Sequence, residues 1–218
     1  MDYLMNITIP IIQGSVMTLQ LFSITIVLSI PLGLSIALAR ISRLRYLRQL
    51  SGIYIWLWRG TPLLLQLLFV YYGLPFVPII GPYFKFDAFT AAVATFTLNY
   101  AAYFAEIFRA GIQSIDRGQY EASKALGMSH WQTMRRIILP QVTKRVLPPV
   151  SNETITLIKD TALVYAIALV ETSRAARIAA VRDFTTLPFV VAAVVYLVMT
   201  LLLTMAFKRL EKRYAIYE

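Results

Sequence analysis

Three ionisable residues stand inside one otherwise apolar run: Glu153, Lys159 and Asp160, within 149–170. A charged side chain at the centre of a membrane span costs about 2.5–3.5 kcal/mol on insertion scales, so such groups face protein, water or ligand rather than lipid. Glu153 and Asp160 are seven residues apart and fall on nearly one helix face, and Asn152 and Lys159 repeat that spacing beside them. The result is a polar stripe about two turns long that carries both signs. Two chemistries suit it. Carboxylates for an α-ammonium and Lys159 for an α-carboxylate would grip a zwitterion; a pair between Lys159 and either carboxylate would neutralise itself between helices. Upstream, Asn99, Tyr103 and Glu106 share a face at spacings of four and three. Asn99 suits a hydrogen bond to a neighbouring helix or to a substrate, and Glu106 suits a pair with Arg109 at i+3. Gln66 is a further amide in an apolar run, fitted to bridge helices and ranked below Asn99 as a ligand contact.

Other chemistry is missing. The chain has one histidine, His130, and no cysteine, so no metal site is expected. No nucleophile, base and orienting group can be assembled, and no catalytic residue is assigned. The nine glycines form neither Gly-x-x-x-x-Gly-Lys nor Gly-x-Gly-x-x-Gly, so the chain has no nucleotide cradle and no cofactor of its own. ATP, if used, must be bound elsewhere.

The elements that would position these residues are membrane spans. Of 218 residues, 58% are hydrophobic, and mean hydropathy is +0.65; soluble domains have roughly 45–50% apolar residues. The excess is gathered in runs of about 20 residues, the length that crosses the hydrocarbon as a helix. The expected fold is an all-α integral membrane protein, a single domain over 1–218 with five spans at approximately 14–39, 53–74, 88–108, 149–170 and 187–207. Gly60-Thr61-Pro62 interrupts the second span. Thr61 as cap and Pro62 as first-turn residue would restart the helix there, and a broken helix beside a cavity is common in transporters. The loop 74–86 holds Pro75, Pro78, Gly81 and Pro82 and cannot be helical throughout. The start, Met1-Asp2-Tyr3, has no positive region, so no cleavable leader is expected.

Net charge is +10, from 21 basic and 11 acidic residues. The basic residues flank apolar runs, so topology and anionic headgroups explain them, and nucleic acid is not an expected partner. One side of a five-span chain would carry Arg40, Arg43, Arg45 and Arg48, the basic residues from Arg109 to Arg145, and Lys208, Arg209, Lys212 and Arg213. The other would carry Lys85, Arg174, Arg177 and Arg182. The positive-inside rule then places the N-terminus outside and the C-terminus in the cytoplasm.

The long inner loop has its own design. Asp116 can cap a helix whose first turn carries Glu121; Ala122, Ala125 and Leu126 form a small apolar face; Gly127 ends it. A second helix starts at Ser129 and is expected to end at Pro140. Two short helices around a glycine make a compact bracket over 116–140.

Here the sequence resembles a known family. Glu121-Ala122-Ser123, three residues, Gly127, nine residues, then Ile137-Ile138-Leu139-Pro140 is similar to the loop signature of permease subunits of ATP-binding-cassette importers, in which Ser123 is usually Ala. Arg59-Gly60-Thr61-Pro62 through Gln66, Asn99 through Gly111, and Asn152-Glu153 through Asp160-Thr161-Ala162-Leu163 resemble the polar amino-acid branch, the histidine-, glutamine- and arginine-type uptake systems. The resemblance runs in order over nearly the whole chain. It implies a type I importer-like permease in a bacterial cytoplasmic (inner) membrane. It also implies partners: two cytoplasmic ATPase subunits, a second permease subunit, an extracytoplasmic binding protein and an amino-acid substrate within the lipid bilayer. The bracket becomes a coupling helix, with Glu121, Ala122 and Gly127 holding its shape and Met128, Ser129 and His130 near the contact. Asn99, Glu153, Lys159, Asp160, Gln66 and Leu163 become candidate substrate contacts. The two carboxylates favour a cationic amino acid such as arginine, lysine or histidine, with glutamine, glutamate and cystine left open. A stand-alone channel or ion-coupled carrier would explain the buried charge without an ATPase, but not the bracket.

Overall fold

A computed structural model describes residues 2–79 and 81–214, and every regular element among them is helical. α1 spans Asp2–Ile41, 40 residues with Pro10 and Pro31 inside it. It starts well before the expected residue 14. In an apolar setting prolines are tolerated within helices because neighbouring groups take up the freed carbonyls. α1 and α9 (Leu187–Tyr214) are each long and apolar enough to cross a membrane. α2 (Arg45–Gly60) and α3 (Leu63–Leu68) form a third such path, continued by a π turn and a 3-10 turn to Phe76 and bent by 102° at the break. α4 (Ala88–Gln113, 26 residues) and α7 (Leu139–Asp160, 22 residues) have the length to cross but are interrupted by Asn99 and Glu106, and by Glu153, Lys159 and Asp160. The Pro- and Gly-rich loop holds 3-10 turns at Leu74–Phe76 and Gly81–Tyr83; its Ile80, like Met1 and 215–218 at the chain ends, lies outside the described residues.

α4 is the central post. Asp87 caps it, accepting from the amides of Phe89 and Thr90 at 3.0 and 3.1 Å. Its Phe96, Tyr100 and Phe104 are fully buried, with Leu21 of α1, Leu67 of α3 and Leu157 of α7 around them. α1 lies close along it because the facing residues are small. A Cβ on Gly33 would come within 2.8 Å of the Phe104 Cβ and 2.9 Å of the Ala101 carbonyl oxygen.

The bracket forms with two corrections. α5 (Arg117–Ala125) is capped by Asp116, whose carboxylate accepts from the Gly118 amide at 2.6 Å, but Glu121 lies in its second turn, not its first. The helix ends as expected: Gly127 has φ +71°, the Met128 amide donates to the Ser123 carbonyl, and the Gly127 amide donates to that of Lys124, both at 3.0 Å. This is a Schellman closure, which glycine makes without a Cβ penalty. α6 (His130–Thr133) has a capping box between Ser129 and Gln132. Pro140 does not end this second helix. A π turn over Met134–Ile138 leads straight into α7, where Pro140 occupies a first-turn position. The π turn's offset bond, from the Leu139 amide to the Met134 carbonyl, brings the chain into α7 with Pro140 in the first turn, where proline is tolerated.

α7 gives way to a 3-10 turn over Thr161–Ile167, and α8 (Thr172–Asp183) packs on the N-terminal half of α1. Glu171 at the α8 N-terminus is fully buried. It accepts from the amides of Ser173 (2.6 Å) and Arg174 (2.7 Å) and from the Tyr196 hydroxyl of α9 (2.8 Å).

Candidate functional site

A cavity of about 500 Å³ opens beside the helix break, lined by Arg59, Gly60, Thr61, Pro62, Leu63, Asn99, Tyr100, Tyr103, Glu153, Thr156 and Asp160. Three separate elements meet there: the kinked α2–α3 path, the middle of α4 and the C-terminal turns of α7. Glu153, Thr156 and Asp160 follow each other at spacings of three and four, so one face of α7 supplies two carboxylates and a hydroxyl. The buried Tyr100 donates its hydroxyl to Asp160 at 2.7 Å, which fixes one carboxylate oxygen and leaves the other for a ligand.

The break itself is tied by amides. Gln66 donates to the Trp58 carbonyl (2.9 Å), the Thr61 carbonyl (3.0 Å) and the Thr61 hydroxyl (2.6 Å), and accepts from Asn99 at 2.8 Å. Asn99 also donates to the Trp58 carbonyl at 3.1 Å. The carbonyls stranded by the missing helical bonds are satisfied by these two side chains. Thr61 is therefore not the restarting cap: it closes α2, donating back to the Leu57 carbonyl at 2.9 Å, and Pro62 takes the cap position of α3. Asn99 is 3% exposed, and both its amide hydrogens are engaged, so only its side-chain oxygen remains to offer a ligand.

The sequence-derived candidates thus separate. Glu153, Asp160 and Asn99 line the cavity. Gln66 lines a different, apolar one with Leu57, Trp58 and Phe69 and serves the break. Lys159 lies on the exposed face of α7, outside the cavity lining, and makes no salt bridge with Glu153 or Asp160. Leu163 is half-buried against the central core. The cation that does line the cavity is Arg59, which sequence reasoning passed over. Its guanidinium lies over the Tyr103 ring, 5.1 Å from the centroid, and 3.9 Å from Glu106. Glu106 is held more firmly by Arg109 (3.0 and 2.7 Å), the expected i+3 pair, and Arg109 continues to Gln113 at 2.6 Å. Thr156 was within reach of the stripe argument, since it stands three residues after Glu153. Tyr100 was not, because it lies one position off the Asn99 face.

Beside Glu106 a third cavity, of about 510 Å³ and partly polar, is lined by Arg59, Glu106, Ile107, Ala110, Gly111, Ser114, Arg145 and Pro149. Arg145 donates to the Ser114 carbonyl at the foot of α4, tying that helix to α7 just before the bracket begins. On the bracket, Glu121, Ala122, Gly127, Ser129 and His130 are exposed and Met128 is half-buried. Ser123 is the buried member of its triplet, its hydroxyl donating to the Gln119 carbonyl at 2.7 Å. Leu126 and Trp131, 81% and 68% exposed, leave the bracket with an uncovered apolar tip.

Residues 29–216 match the family described as "Binding-protein-dependent transport system inner membrane component". The arginine transport system permease protein ArtQ of Bacillus subtilis is 39% identical over 211 residues, 94% of each chain. A putative glutamine transport system permease protein GlnP of Rickettsia typhi is 35% identical over 93% of this chain and 92% of its own. Among solved structures, one described as an amino acid ABC transporter with histidines is 37% identical, covers 97% of both chains and has a TM-score of 0.86.

Proposed function

The chain belongs to the family of binding-protein-dependent transport system inner membrane components, as an amino-acid permease subunit of an ATP-binding-cassette importer whose ATP is hydrolysed by separate subunits, and from that premise we propose that its cargo is an amino acid with a cationic side chain, held between Glu153 and Asp160. The observation that carries this reading is the charge of the cavity lining. Two carboxylates and one guanidinium leave one formal negative charge, which an amino acid of net charge +1 neutralises. A zwitterion with a neutral side chain would leave that charge uncompensated within the cavity. The relatives named for arginine and glutamine transport differ in cargo, so the lining rather than the family supports the choice. Asn99 adds a neutral acceptor for an ammonium or guanidinium donor.

The rest of the assembly follows the same reading. The proposed topology has five spans, N-terminus outside and C-terminus inside. Two copies, or two similar subunits, face each other; two ATPase subunits sit under the brackets; an extracytoplasmic binding protein delivers the cargo. Glu121, Ala122, Gly127, Met128, Ser129 and His130 shape the handle, with Leu126 and Trp131 as its apolar contacts. No observation favours a stand-alone channel or ion-coupled carrier. The test is uptake into proteoliposomes holding the permease, its ATPase and its binding protein, with arginine, lysine, histidine, glutamine and glutamate as competing cargoes. ATP-dependent uptake led by a cationic amino acid is expected. Preference for glutamine or glutamate would overturn the assignment of cargo, and uptake without the ATPase would overturn the importer.

A further inference from the structure

Arg59 is the one residue shared by the linings of the two polar cavities. On one side of it lie Glu153 and Asp160. On the other lie Glu106, the foot of α4 and the start of α7, the two helices from which the bracket hangs. Arg59 therefore stands where the two linings meet, on a route from the cargo cavity toward the bracket side. We propose that Arg59, folded over Tyr103 and drawn toward Glu106, is the inner gate of the cargo cavity. The proposal rests on the permease reading above, which sets the direction of release.

The contacts have the strength a gate needs. Arg59 is held by an ion pair at 3.9 Å and a stack on one ring, each weak alone, and its side chain is 41% exposed. Glu106, by contrast, is pinned by the paired hydrogen bonds from Arg109. Glu106 is thus held tightly to its own helix, and Arg59 is held loosely to Glu106. Arg59 closes the helix that stops at the Gly60–Pro62 break, so a small change in that kink moves the guanidinium with no unwinding of α4. Glu106 moves with the bracket. Ser114 ends α4, accepts from Arg145 of α7, and is followed two residues later by the Asp116 cap of α5. Spreading α4 from α7 at the bracket end would carry Glu106 away from Arg59 and join the two cavities.

The experiment reads ATP-independent efflux of radiolabelled arginine from preloaded proteoliposomes containing the complete complex. Arg59→Ala and Glu106→Gln are each expected to raise efflux at least tenfold over wild type, with Arg59→Lys close to wild type because it keeps a charge for Glu106. Glu106 does not line the cargo cavity, so its variant should keep arginine binding within about twofold, separating gating from binding. Loss of ATP-driven uptake with no rise in efflux would make Arg59 a cargo contact only and overturn the gate. Unchanged efflux in both variants, with Arg59→Lys as the check on folding, would overturn it as well. A wild-type complex that failed to pump would sink the importer reading, while the efflux comparison would still decide the gate.

Discussion

Asp160 is oriented by a single hydroxyl, that of Tyr100, and Glu153 lies one face-repeat away. Charge-assisted hydrogen bonds contribute about 1.5–3 kcal/mol each, so the two carboxylates should dominate the affinity for a cation. Asp160→Asn and Glu153→Gln are each expected to lower arginine uptake by tenfold or more, with the complex still assembled. Tyr100→Phe should weaken binding less, since the carboxylate survives without its orienting donor. Uptake and arginine binding by the purified complex check the order; equal values in all three variants would remove these residues from the site. The carboxylates were legible in sequence because a period of seven holds within one helix. Lys159 carried the same signal and falls on the other side of α7, since adjacent residues on a helix point about 100° apart. Arg59 was illegible for the opposite reason. It reaches the cavity from another element, through a bend whose angle no spacing encodes.

The break between α2 and α3 was readable from Gly60-Thr61-Pro62, but its 102° bend and its repair were not, since Gln66 and Asn99 are 33 residues apart. Gln66→Leu keeps the volume and removes the donor to two carbonyls. It is expected to cost about 1–3 kcal/mol for the groups left unpaired, seen as a lower unfolding temperature in detergent. A second element-scale device is the small-residue seam of α1 and α4. Gly33→Val would drive its Cβ into the Phe104 Cβ and the Ala101 carbonyl, a backbone atom that cannot step aside. A loss of about 1–3 kcal/mol is expected from the overpacking. The Pro140 stop failed as a prediction because proline ends a helix only from its interior, and the π turn gives it a first-turn setting. Glu171 is a buried charge that sequence reasoning did not single out. Its burial is set by Tyr196, 25 residues on, and local pattern carries no trace of that.

At the scale of the whole molecule, α9 buries only the few positions Pro188, Ala192 and Met199 and leaves most of its apolar surface uncovered, as a lipid-facing helix of the proposed topology would. The bracket packs Tyr120 and Met134 against the ends of α4 and α7 and turns Leu126 and Trp131 outward. Gly127→Val would force a β-branched residue into φ +71°, a strain of about 1–3 kcal/mol. The expected result is a subunit that inserts normally but no longer couples, with uptake reduced at least tenfold while arginine binding persists; normal coupled hydrolysis of ATP would count against the bracket as handle. The uninterrupted course from the Ser129 cap through the π turn to Asp160 has one more consequence. At 1.5 Å per residue it is a shaft of roughly 45 Å, with the proposed grip of the motor at one end and the cargo carboxylates near the other. A twist applied below would reach Glu153 and Asp160 along one continuous helical course, loosened only at the π turn and at the Pro148–Pro149 pair inside α7. These are the sections where the shaft can give, and stiffening either would change how far each stroke travels.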